Sequence, residues 1–180
     1  MNNKRERTKT KIKNCYISLL MTKSPLDINV SEICKKCQIN RSTFYEYYSY
    51  IDSLIEDIIY DQIDAISKVN DVLYDSYYIE NTTGPDYVAK YMKNIAGNEV
   101  LMRFIKSNES NRFKAAITNA QSEYEIKRYN ITDPTKRIEV MYRNSGVLAI
   151  VFGWIEKKSN CDTEEIATIL YNEIRKSEQK

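Results

Sequence analysis

Residues 28–48 read INVSEICKKCQINRSTFYEYY, from Ile28 to Tyr48. Asn29-Val-Ser-Glu32 has the spacing of a capping box, with Asn where Ser or Thr is usual, so a short helix opens there. Ile33 and Cys34 fall on its inner side. The pattern breaks at Cys37-Gln-Ile39, and Asn40 is expected to cap a second helix over 41–47. Phe44 and Tyr48 lie four apart on one face of that helix. Two short helices joined by so tight a turn, behind a basic amphipathic helix, make a helix-turn-helix. Packing Ile33, Ile39, Phe44 and Tyr48 inward leaves Arg41, Ser42, Thr43, Tyr45, Glu46 and Tyr47 for outward display. Arg41 can donate two hydrogen bonds to a guanine edge or hold a phosphate. The hydroxyls of Ser42, Thr43, Tyr45 and Tyr47 suit phosphates and base edges.

Upstream, residues 5–21 form the basic helix, with Ile12, Cys15 or Tyr16, Leu19 and Leu20 at three-to-four spacing. Ser24-Pro25 ends it, because the residue before proline avoids the helical region. Residues 1–50 carry a net charge of +6 and residues 51–180 a net of −4. A basic head on an acidic body suits a polyanion at the head. Lys4, Arg5, Arg7, Lys9, Lys11 and Lys13 are expected to meet that polyanion's backbone.

Downstream the signals are helical throughout. A long helix is expected over 51–78, with Val69 and Leu73 among its apolar positions, then a loop at Asn81-Thr-Thr-Gly-Pro85. Further helices are expected over 86–96, from 97–98 to 106, and over 112–128. Asp133-Pro134 opens another that runs to 157, and Asp162-Thr-Glu-Glu165 opens the last. With only 4 Gly and 3 Pro among 180 residues, sheets with many tight turns are disfavoured. The expected fold is all-α, about nine helices, with a head over 1–50 and a body over 51–180.

The stretch 28–48, followed by Asp52 and Leu54, resembles the N-terminal domain of the TetR/AcrR family of bacterial regulators. The resemblance covers roughly residues 5–60, and Ser42-Thr43-Phe44-Tyr45-x-Tyr47-Tyr48 is its most specific piece. It implies DNA contacts from Asn29, Ser31, Arg41, Ser42, Thr43, Tyr45 and Tyr47, and a homodimer on a palindromic operator. The chain departs from the family pattern at three places. Cysteines stand at 34 and 37 where small residues are usual, Gln38 where Gly is usual, and Ile51 where Lys often reaches a phosphate. The stretch from Ser145 to Glu173 is similar to a branch of the family that includes regulators of dihydroxyacetone kinase genes.

The family resemblance implies a repressor released by a small-molecule effector; the alternative is a body that binds a protein partner. Tyr87, Tyr91, Phe104, Phe113 and Tyr142 are the candidate effector pocket. Between Asn144 and Ile155 no residue is charged, so that helix is expected to be buried nearly all round, one face against a partner. The expected dimer interface is Gly146, Val147, Val151, Gly153, Trp154, Ile155, Ile166, Ile169 and Leu170, a four-helix arrangement about a two-fold axis. Cys34-x-x-Cys37 has the spacing of half a zinc site, but a zinc site needs about four ligands and the chain has no histidine. The pair is therefore expected to be two small buried residues, with no metal and no cofactor. No His-based triad is available and no phosphate loop is present, which argues against an enzyme. The longest apolar run, Gly146 to Ile155, falls short of the ~20 residues a membrane span needs, and residues 1–13 lack a signal peptide's apolar core, so the protein is expected in the cytoplasm.

Overall fold

The structure is a computed structural model. It describes the backbone of residues 2–80, 84–108, 110–157 and 161–178, and their side chains except at 2–3, 69–80 and 175–178. The expected loop residues 81–83 and the side chains of Val69 and Leu73 lie outside the described residues.

Nine α-helices, and no strand, occur among the described residues. They are α1 (Asn2–Leu20), α2 (Val30–Cys37), α3 (Arg41–Tyr47), α4 (Ile51–Glu80), α5 (Pro85–Gly97), α6 (Glu99–Ile105), α7 (Ser110–Arg128), α8 (Pro134–Ile155) and α9 (Thr163–Glu178). A short 3-10 turn, Pro25–Asp27, follows α1 and has no counterpart in the expectations from sequence.

The helix ends explain themselves chemically. Asn29 accepts the Glu32 amide at 3.1 Å, so α2 starts where the capping pattern puts it. The Glu32 carboxylate also accepts from Lys23 Nζ at 2.5 Å. Asn40 occupies the N-cap of α3 in an extended conformation, but its side chain makes no capping hydrogen bond. That corrects the expected cap: α3 is held by its neighbours more than by its own first turn. Asp133 caps α8 through the Lys136 amide at 2.9 Å. At α9, Asp162 accepts the Glu165 amide at 2.8 Å while Glu165 accepts the Asp162 amide at 3.1 Å, a reciprocal box.

Ile12, Tyr16 and Leu20 recur every fourth residue along α1 and are fully buried. With Ile33, Cys37, Phe44 and Leu54 they form the core of the head. That core is continuous with the body. Tyr16 stacks on Phe104 of α6 with ring centroids 6.4 Å apart, and Phe104 meets Phe113 of α7 at 4.8 Å. In the body α5 packs along α9, α4 along α7, and α7 along α8. No helix among the described residues is long and apolar enough to cross a membrane.

Candidate nucleic-acid interface

Helix α3 is the exposed element of the head. Phe44 is fully buried and Tyr48 nearly so, which turns Arg41, Ser42, Tyr45 and Glu46 to solvent. Tyr45 is 52% exposed although its ring packs edge-on to Phe44 at 5.5 Å. The ring is thus braced while the hydroxyl reaches outward. Arg41 donates to Ser31 Oγ on α2, so two residues expected at the DNA surface meet each other. Asn29, Ser31 and Arg41 all lie on that exposed side. Thr43 and Tyr47 are half-buried. Tyr47 lies under the Arg5 guanidinium of α1, 5.8 Å from its ring centroid.

The turn between α2 and α3 depends on Gln38. Its φ of 54° and ψ of 50° are left-handed, the region glycine tolerates best. That geometry lets the Ile39 amide reach back to the Cys34 carbonyl at 3.0 Å and close α2.

Part of the basic N-terminal helix is held within the chain itself. Lys9 and Lys13 pair with Asp57 of α4 at 2.8 and 3.0 Å, and Lys13 also reaches Asp61 at 2.5 Å. Tyr48 donates to the same Asp57 carboxylate at 2.7 Å. Burial pushes Asp57 up, but the hydrogen bonds from Lys9, Tyr48 and Lys13 outweigh it and hold the carboxyl below its usual range. Burial and the bond to Asp57 both push the Tyr48 phenol up, so it stays a neutral donor. Two of the expected phosphate-contacting lysines therefore tie the head to α4. Lys4, Arg7 and Lys11 remain exposed.

A second surface is built by α8 and α9. Ile138 (66% exposed), Met141, Tyr142 (83%), Ile150 and Ile169 are large apolar or aromatic side chains facing solvent. Gly146 and Ala149 are exposed among them. A Cβ added at Gly146 or Gly153 would meet nothing within 4 Å. Of the expected interface residues, Gly146, Gly153 and Ile169 lie on or beside this face. Val151, Ile166 and Leu170 are buried inside the chain's own core, and Val147, Trp154 and Ile155 are half-buried against it. The cause is simple: between 144 and 155 no residue of α8 is charged, so that stretch has no polar face by which to set its phase. In the single chain Ser145, Gly146, Ala149 and Ile150 of α8 are uncovered.

No family model matches the sequence, and no curated protein matches it. Solved structures do. A TetR transcriptional regulator from Rhodococcus sp. RHA1 is 12% identical, with 92% of this chain and 97% of that chain covered at a TM-score of 0.56. A protein from Syntrophomonas wolfei, described as a TetR-family transcriptional regulator, is 16% identical, covers 93% of each chain and gives 0.54. The chain has the TetR-type fold. Both neighbours are described as transcriptional regulators, neither as an enzyme. The dihydroxyacetone kinase operon activator DhaS also superposes, at 16% identity over 92% of each chain, but at 0.46 the match is too loose to place this chain in its branch.

Within this TetR-type body a cavity of about 80 Å³ lies between α5, α7, α8 and α9. Tyr87 and Tyr91 line it. Phe104 and Phe113 do not: they are spent on the stack that joins head and body. Tyr142 does not either, because Asn144 and Leu148 carry the inner face of α8 and a step of two residues turns Tyr142 to solvent. Sequence reasoning missed the polar lining: Gln121, Glu125, Arg143 and Asn144. An amide and a charge interrupting the apolar side of α8 were the available signal.

Cys34 and Cys37 are buried. Burial raises both thiols, Cys37 to about 12, where contact with Cys15 adds to the effect. Cys37 donates to the Lys11 carbonyl at 3.7 Å, so it packs α2 on α1.

Proposed function

We propose that this chain is a sequence-specific DNA-binding transcriptional regulator acting as a homodimer in the cytoplasm. Residues 1–50 are its DNA-binding unit, and residues 51–180 its dimerisation and effector-binding unit. The observation that carries the reading is the α3 surface: Arg41, Ser42 and Tyr45 stand exposed on a helix whose opposite face is fully packed. A rigid element of that kind can enter a major groove without reorganising.

In this reading Arg41 reads a guanine edge, steadied by Ser31. Ser42, Thr43, Tyr45 and Tyr47 bond phosphates and base edges, and Asn29 and Ser31 approach the backbone at the start of α2. Two chains meet through the exposed α8 and α9 face, where Gly146 and Gly153 allow close approach. Their heads then fall on successive major grooves of a palindrome, ~34–36 Å apart or a multiple of it. The output is repression. An effector in the body relieves it by favouring a dimer whose heads no longer match that spacing.

The deciding experiment is selection of bound duplexes from the genome with the full chain, followed by titration against salt. A palindromic sequence should be enriched, and its affinity should fall steeply as salt rises. Recovery of no enriched duplex would remove the reading.

A further inference from the structure

The cavity in the body has a chemistry that narrows its occupant. Its two charged residues, Glu125 of α7 and Arg143 of α8, are joined to each other by an ion pair. The lining is therefore neutral as a whole. A ligand carrying net charge would have to break that pair in a half-closed, poorly solvated space, which is costly.

Beside the pair sits Asn144, only 7% exposed. Its Nδ2 donates to Glu125 Oε2 at 3.1 Å and to Ser122 Oγ at 3.4 Å. A carboxylate only accepts, so the amide must face Glu125 with its nitrogen. That fixes Oδ1 as the outward group. Among the described residues no donor reaches Oδ1, and it is not one of the sealed, unsatisfied polar atoms. A buried residue thus offers an acceptor to the cavity. Across from it Gln121 is oriented by its Oε1, which accepts from Tyr91 at 2.6 Å and from Ser67 at 3.4 Å. Burial first, then the charge of Glu125, push the Tyr91 phenol up, so it remains a donor. The rest of the lining includes Val88, Val147, Leu148 and Ile174. The volume of about 80 Å³ is smaller than the ~150 Å³ that admits benzene.

We propose that this cavity binds a small uncharged molecule of amide or alcohol type, its N–H or O–H donated to Asn144 Oδ1 and its apolar end against Val88 and Leu148. The inference rests on the effector-sensing reading above and names the class of effector. It also explains a route of action, since the cavity is walled by the two helices that carry the exposed apolar face.

Four probes of similar size test it on the full chain by saturation-transfer NMR: propionamide, butanone, propionate and propylammonium. Propionamide should bind saturably, on the order of 1 mM or tighter, which its few heavy atoms can supply. Butanone lacks the donor, and the other two carry charge; each should bind at least ~10-fold more weakly, a gap of one hydrogen bond or one broken ion pair. Val88→Phe, which fills the cavity without touching a polar group, should abolish propionamide binding. Asn144→Leu should remove the preference for propionamide over butanone. Propionate or propylammonium binding as tightly as propionamide would overturn the assignment of ligand class. If that charged probe also weakened binding to the selected duplex, effector sensing would stand and only its chemistry would change. Probe binding left intact by Val88→Phe would place the ligand elsewhere and overturn the cavity as the sensing site altogether.

Discussion

The outward faces of α3 and α8 present opposite chemistries from similar backbones. On α3 the exposed side chains are Arg41, Ser42, Tyr45 and Glu46, each able to exchange a water hydrogen bond for another polar partner. On α8 they include Ile138, Met141, Ala149 and Ile150, which gain only by leaving water. The first surface suits a hydrated polyanion whose grip depends on salt. The second suits a dry, permanent neighbour, and a row of large apolar side chains at helical spacing is what a coiled or bundled partner covers. The underside differs too. α3 is braced by aromatic packing and by the Asp57 cluster, whereas the underside of α8 borders a cavity. A braced α3 and an α8 that borders a cavity are the division of labour that the ligand-controlled regulator proposed above would use.

The comparison breaks most visibly on α8. Ile150→Arg places a charge within the apolar row while pointing away from the core, so each chain should remain folded. Sedimentation at micromolar concentration should show a dimer for the parent and a monomer for the variant. Because the two heads gain from acting together, operator affinity should fall by more than about 100-fold. A parent protein that sediments as a monomer would end this account of how the heads are spaced.

The next effect lies on α3. Arg41→Ala should cost ~1–3 kcal/mol of operator binding and relax preference at one base position. Equal weakening of every duplex would make Arg41 a phosphate residue, and the α3 face would then position without reading.

Asp57→Asn probes the bracing of the head. The carboxylate, with its side chain 24% exposed, holds Lys9, Lys13 and Tyr48 together. Neutralising it should cost about 1–2 kcal/mol of stability, less than a fully buried cluster because water partly screens it. The sign with pH follows from the depressed folded-state carboxyl. Its contribution is full above the usual carboxylate range and is lost as pH falls through the lowered folded value. The parent should therefore lose stability on the acid side, and Asp57→Asn should flatten that limb. Melting curves of the two proteins across acid pH would show it.

Legibility in the sequence divides along the same line. The head is written in local chemistry: Asn29 caps within three residues, and Phe44 and Tyr48 reveal the inner face of α3 by their spacing. What escaped was long-range. Nothing near Lys9 or Lys13 announces that Asp57 will claim them. In the body the existence of α8 and its Asp133 start are plain, but its rotation is not. Val151 turned inward and Ile150 outward are chemically alike, and only tertiary packing, of α7 and α9 against α8, separates them. The cavity was harder still, since aromatic residues attract attention as pocket linings while Phe104 and Phe113 serve as core.

The smallest effect concerns the turn that sets α3 on α2. Gln38 adopts φ 54°, and an L side chain there costs ~1–2 kcal/mol relative to the right-handed region, a penalty glycine does not carry. Glycine loses more backbone freedom on folding, which returns part of that gain. Gln38→Gly should therefore stabilise the protein by a net ~0.5–1 kcal/mol, read as a higher denaturant midpoint with an unchanged slope. Gln38 is exposed, so no packing is lost. Operator affinity should stay the same or rise slightly, because the variant favours the α2–α3 geometry already present. Gln38→Pro is the opposing control. It cannot adopt positive φ and removes the amide that bonds the Lys35 carbonyl at 3.3 Å, so it should unfold the head. If Gln38→Gly instead lowers the midpoint, the left-handed turn is not the source of strain, and the rigidity of α3 on α2 must come from the Arg41 to Ser31 contact and the aromatic packing.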